Sequence, residues 1–212
     1  MGLNVSDVLT LDDVRLGGKV VLYRVDVNSP LEPSSGAFLD DSRLRAIIPT
    51  LRTLQNSKVV MLGHQSRPGK IDFTNMEQHA DRISRLIGKK VKFVSDICGD
   101  EAISSIKSLK IGEMLFLDNI RMHEDENSMK KASLEETAKS EIVRKLSSVI
   151  DVYVTDAFAA SHRNSPSLTG FYDSVPCIAG HLMSKEISNL QIAVNDPPRP
   201  YIAILGGTKC DD

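Results

Sequence analysis

The sequence predicts an α/β fold: three layers, Rossmann-like, a doubly wound parallel sheet of about six strands with helices on both faces. Two observations predict it. Short apolar runs alternate throughout the chain with amphipathic segments, the pattern of parallel strands joined by crossover helices. The first run also ends in Tyr23-Arg24-Val25-Asp26-Val27-Asn28. A carboxylate and an amide therefore stand at the carboxyl end of a strand, the edge that faces the ligand crevice in open α/β sheets.

The elements follow in order. Strands are predicted at 19–25, 58–62, 91–94, 113–117, 151–155 and 200–205. Leu44, Ile47, Ile48, Leu51 and Leu54 share one helical face after a cap at Asp41 or Ser42. Met76, Ala80, Ile83 and Ile87 do the same after Asn75, as do Leu134, Ala138, Ile142, Leu146 and Val149 in a further stripe. His123 to Lys131 is polar and charged and reads as a solvated loop entering a helix. Met183, Ile187, Leu190 and Val194 repeat the helical spacing before Asn195-Asp196-Pro197-Pro198-Arg199-Pro200, which stops the helix and restarts an extended strand. That break is the expected domain junction, dividing 1–195 from 196–212. Gly206-Gly207 after the last strand reads as a strand-to-helix turn cut short at Asp212, so the chain is expected to be a fragment of a longer protein.

Composition narrows the function classes. A chain of 212 residues has ample length for one buried core. The 26 basic and 28 acidic residues leave a formal charge of −2, which argues against a nucleic-acid footprint. No apolar run approaches the roughly 18 residues of a membrane span, so no membrane partner is expected. Cys98, Cys177 and Cys210 lack metal-type spacing, and with no secretory signal a reduced, cytoplasmic setting follows. Neither G-x-G-x-x-G nor a P-loop is present. His79 reads as a solvated or core-edge histidine rather than a ligand, and His181 is given no role. Glu124-Asp125-Glu126 reads as a solvated acidic face rather than a cation site.

The chemistry lies in the basic residues at element ends. Arg43, Arg67, Arg121 and Arg163 each sit in or beside a predicted loop or helix start, and His64, His123 and His162 lie within three residues of the last three of them. A lone arginine at an element end is usually a surface ion-pair partner of little worth. Grouped with Asp26 and Asn28, these arginines suit a small polyanion that needs guanidinium forks for its oxygens and neutral groups for its hydroxyls.

Tyr23 to Asn28, Gly63-His64-Gln65-Ser66-Arg67-Pro68, Asn119-Ile120-Arg121-Met122-His123, Asp156-Ala157-Phe158 with His162-Arg163, and Gly206-Gly207-Thr208-Lys209 occur in the order found in phosphoglycerate kinases. The chain resembles the N-terminal half of that two-domain family from about Leu11 to Asp212. The resemblance implies reversible phosphoryl transfer between 1,3-bisphosphoglycerate and ADP, giving 3-phosphoglycerate and ATP, with Mg carried by the nucleotide on the other domain. It assigns Asp26 and Asn28 to the glycerate hydroxyl, and Arg43 to the carboxyl end and the transferred group. His64 and Arg67 come from the S-H-x-G-R-P loop, and Arg67, Arg121 and Arg163 hold the stable phosphate. Lys209 would face the phosphoryl group in flight and the nucleotide. Two departures stand out: Ser66 replaces the motif's glycine, which matters if that position needs positive φ, and Cys210 replaces an apolar residue. A stand-alone phosphoglycerate-binding module without catalysis remains open on these residues.

Overall fold

The computed structural model describes residues 8–204. Its centre is a six-stranded sheet, every pairing parallel, formed by β1 (Val20–Arg24), β2 (Lys58–Leu62), β3 (Val91–Val94), β4 (Met114–Leu117), β5 (Val152–Thr155) and β6 (Cys177–Ala179) in the order β3-β4-β2-β1-β5-β6. The connections contain α1 (Ser42–Ala46), α2 (Ile48–Thr53), α3 (Glu77–Ile87), α4 (Asp100–Ser108), α5 (Glu124–Ser128), α6 (Leu134–Ala138), α7 (Glu141–Ser147), α8 (Pro166–Thr169) and α9 (His181–Asn195).

Successive strand residues point to opposite faces, so each strand feeds two cores. Val21, Tyr23, Val59, Met61 and Phe116 pack with Leu44, Leu51, Ala80 and Ile83 from α1, α2 and α3. Leu22, Val60, Leu62, Leu115 and Tyr153 pack on the other face with Ala102 and Ile106 of α4 and Ile142, Val143 and Leu146 of α7. Helices therefore cover both faces, which makes the three layers. From β1 the chain moves towards β2 and the β3 edge, then crosses to the other side of β1 for β5 and β6. The winding reverses at β1, where a doubly wound sheet opens a crevice outside its carboxyl ends.

Several elements differ from the sequence reading. The sixth strand is Cys177–Ala179, paired with β5, while residues 200–204 form no strand and residue 205 of the expected segment lies outside the described residues. A three-residue strand is too short for a periodicity signal, and it takes the sheet edge beside β5. The helix expected over Leu44–Leu54 is two helices, because Pro49 offers no N–H to continue the ladder and α2 restarts with proline in its first turn. The Leu134–Val149 stripe is likewise divided. Ser133 and Glu136 make a capping box on α6, and Ser140 caps α7 anew. Met76 rather than Asn75 is the cap residue of α3. The polar stretch after His123 is helical over α5, and Glu126 within it is buried.

Candidate functional site

Four strand ends supply the site: β1 delivers Arg24 and Asp26, β2 leads through Gly63 to His64, β4 leads into the turn carrying Arg121, and β5 leads to Asp156 and onward to Arg163. Arg24 is the one charged residue within β1, and it is buried. A guanidinium in a sheet interior must find acceptors. Its Nη1 donates to the carbonyl of Val25 at 2.5 Å and its Nε to Ser167 Oγ at 3.1 Å, while Nη2 faces His64 Nδ1 at 3.4 Å. Because arginine can only donate, His64 accepts at Nδ1 and carries its hydrogen on Nε2.

His64 has its pKa pushed down to about 2, first by burial and then by the charges of Arg24, Arg121, Arg163 and Arg43. It is a neutral ring among guanidinium groups. Arg121 is half-buried, with its pKa lowered by burial and by Arg163, Arg24 and Arg67, against which Glu126 acts in the opposite sense. Arg24, His64, Arg121, Lys130, Arg163 and Glu126 line a cleft of about 310 Å³. Four cationic side chains against one carboxylate favour an anion there.

Glu126 is the counter-charge, reached through serines. Its Oε1 accepts from Ser165 Oγ at 2.9 Å and Ser167 Oγ at 2.7 Å, and its Oε2 from the Ser167 N–H at 3.0 Å. Ser167 thus receives a hydrogen bond from Arg24 and passes one to Glu126. Glu126 is thus buried, where the sequence reading has this acidic run solvated, while Glu124 beside it is exposed.

Beside the cleft, Asp26 pairs with Arg43 and also accepts from the Asn28 N–H at 3.3 Å. Arg43 keeps 45% of its side chain exposed, so the ion pair holds the guanidinium over the strand end without covering it. Asn28 Oδ1 accepts from the Ser66 N–H at 2.8 Å, which turns the amide so that its NH2 is the outward group. Arg121 Nη1 donates to the Ser66 carbonyl. Ser66 lies at φ +55°, the left-handed conformation its motif's glycine would take freely, at a cost of about 1–2 kcal/mol for an L-residue. Arg67 follows on an exposed loop, and Arg163 is exposed with Nε donating to His162 Nε2 at 3.3 Å.

The structure therefore gathers His64, Arg121 and Arg163 in one cleft, sets Asp26, Asn28 and Arg43 beside it, and leaves Arg67 at the rim. Lys209 lies outside the described residues. Arg24, Lys130, Glu126 and Ser167 were not among the sequence candidates. Arg24 had a usable signal, a charge inside an apolar strand, whereas nothing in the order of residues ties Glu126 to Ser167. His79 is fully buried, with Nε2 against Gln65 Oε1 at 3.1 Å, and His181 bonds Thr53 Oγ1 at 2.8 Å. Among the described residues no group of three or more His, Cys, Asp or Glu side chains could hold a metal.

Comparison with known proteins gives the family. A sequence profile described as phosphoglycerate kinase matches residues 11–212. The phosphoglycerate kinase of Methanothermobacter thermautotrophicus is 45% identical over 205 residues, 96% of this chain and 49% of that protein. That of Methanocorpusculum labreanum is 45% identical over 203 residues, 96% of this chain and 50% of its own length. The crystal structure of phosphoglycerate kinase from Pyrococcus horikoshii superposes with a TM-score of 0.84 at 42% identity, covering 90% of this chain and 47% of that one. The chain thus spans about half the length of the curated relatives it matches. The motif order, the strand-end basic cleft and a profile that runs from residue 11 to the last residue lead to one assignment: the chain belongs to the phosphoglycerate kinase family.

Proposed function

We propose that this chain is the acceptor-binding half of a phosphoglycerate kinase, with residues 1–195 forming the 3-phosphoglycerate domain and 196–212 leading into a nucleotide-binding half. The observation that carries the reading is the convergence of Arg24, Arg121, Arg163 and Arg43 on a neutral, buried His64 at the carboxyl edge of the sheet. Arg121, Arg163 and Arg67 grip the stable phosphate of 3-phosphoglycerate or 1,3-bisphosphoglycerate. The His64 Nε2–H is a neutral donor to one of its oxygens. Asn28 and Asp26 receive the hydroxyl, and Arg43 meets the carboxyl end.

The nucleophile in the direction that consumes ATP is a carboxylate oxygen, already ionised at neutral pH, so the site needs no general base. Its residues are instead positioned charges that neutralise the transferred group and hold the acceptor in line. The described residues do not fit a metal. Mg would travel with ATP or ADP on the other half. Lys209 completes the clamp on the transferred phosphoryl group and the nucleotide. The setting is cytoplasmic, with neither nucleic acid nor membrane as partner.

Titration calorimetry tests the reading. The chain should bind 3-phosphoglycerate, should bind glycerate at least ~10-fold more weakly because the phosphate contacts are absent, and should turn over no ATP by itself. Equal binding of glycerate and 3-phosphoglycerate would overturn it.

A further inference from the structure

We propose that Asp72 is a positioning residue for this cleft, acting through Ser66 to hold Arg67 and Arg121 in place. The inference rests on the functional reading above and concerns a device built around Ser66, where the family's motif more often has glycine. Among the described residues Ser66 alone, other than glycines, has positive φ. Three hydrogen bonds hold it there. Its N–H donates to Asn28 Oδ1 at 2.8 Å, its carbonyl accepts from Arg121 Nη1, and its hydroxyl donates to Asp72 Oδ1 at 2.6 Å. A glycine would make the first two. The third exists because a side chain stands here, so the substitution that introduces the strain also introduces a group able to oppose it.

Asp72 is also the far end of the loop that carries Arg67. Within that loop the Lys70 N–H donates to the Arg67 carbonyl at 3.1 Å and the Phe73 N–H to the Lys70 carbonyl at 3.1 Å. The bond from Ser66 to Asp72 closes the loop at its base. Asp72 therefore reaches Arg67 along the loop and Arg121 across the Ser66 carbonyl, without itself touching the cleft. With the anchor gone, Ser66 relaxes towards negative φ, the conformation L-residues prefer. That rotation turns its carbonyl away from Arg121 and its N–H away from Asn28. A glycine at 66 holds φ +55° without an anchor.

The test is a titration of 3-phosphoglycerate and, separately, of inorganic phosphate into the full chain and its Asp72→Ala, Asp72→Asn, Ser66→Gly and Ser66→Gly/Asp72→Ala variants, each with a thermal melt. Asp72→Ala should weaken both ligands ~10-fold, about the worth of one anchoring hydrogen bond, whereas Asp72→Asn keeps an acceptor oxygen and should stay within ~3-fold of the parent. In the Ser66→Gly background the same alanine change should cost less than ~3-fold, because the anchor is redundant there. Three results would overturn the proposal: Asp72→Ala binding like the parent, Asp72→Asn losing as much as Asp72→Ala, or equal losses in both backgrounds. If the parent binds phosphate without preferring 3-phosphoglycerate, the functional reading fails, and the phosphate series alone decides the role of Asp72. If it binds neither, exchange of the Ser66 N–H decides. Exchange at least ~10-fold faster in Asp72→Ala than in Asp72→Asn supports the anchor, and equal rates overturn it.

Discussion

Two effects remove the basicity of His64. Burial penalises the imidazolium, and the guanidinium groups around it repel a further positive charge, so its pKa falls from 6.5 to about 2. In the unfolded chain the ring is free to take a proton near its ordinary value. As pH falls below about 6.5 the unfolded state therefore binds a proton that the folded state refuses, and stability declines continuously towards the folded value. Between pH 6.5 and 5 this one group should cost on the order of 1.5 kcal/mol. His64→Gln should flatten that part of the profile, measured by denaturant unfolding at several pH values. A profile unchanged by the substitution would show that the ring is protonated in the folded chain. His79, lowered to about 4 by burial, adds to the same slope and should remain in the variant. The position of His64 beside an arginine motif was legible in the sequence. Its neutrality was not, because that depends on four charges from distant positions meeting at one ring.

Arg24 of β1 and Glu126 of α5 belong to different elements and are joined only through Ser167. Removing Arg24 leaves a buried carboxylate with its serine partners but without the guanidinium that reaches it through Ser167. Arg24→Met should therefore cost roughly 3 kcal/mol of stability and also weaken 3-phosphoglycerate binding. Adding Glu126→Gln should restore much of the stability and none of the affinity, a split readable by melts and calorimetry on the same samples. Strictly additive stability losses would mean that the two charges do not compensate one another.

A second junction links β1, α2, β5 and α9. Asp156 accepts from Tyr23 OH at 2.5 Å, Thr50 Oγ1 at 2.7 Å and the Met183 N–H at 2.9 Å. Gly180 passes so close that a Cβ there would meet Asp156 Oδ1 at 2.3 Å. Gly180→Ala should destabilise the domain by about 2–3 kcal/mol, seen as a lower denaturation midpoint with an unchanged denaturant dependence. A midpoint equal to that of the parent would show that the junction can yield. The sequence placed Asp156 at a strand end, but the glycine's requirement arises from an approach that only the folded chain makes.

At the scale of the molecule, the cleft gathers positive charge from three strand ends on a chain whose formal net charge is −2, so its field is local. Binding of a phosphate ester should weaken with salt, by ~10-fold or more between 0.05 and 0.5 M, because the rim arginines are screened while the neutral contacts are not. Affinity independent of salt would place the ligand elsewhere.

Five strands, the doubly wound class and, in the candidate cleft, His64, Arg121 and Arg163 could be read directly, because buried parallel strands must be apolar and strand ends carry the polar groups that face the crevice. Ser66 was marked by its departure from a glycine motif, and its positive φ follows from that position. Three things had to wait for the tertiary structure: the short edge strand Cys177–Ala179, the burial of Glu126 behind two serines, and the bond from Ser66 to Asp72. Local periodicity reports which face of an element is apolar. It is silent on which element covers that face, and a strand of three residues or a carboxylate paired 41 positions away acquires its meaning only from what packs against it.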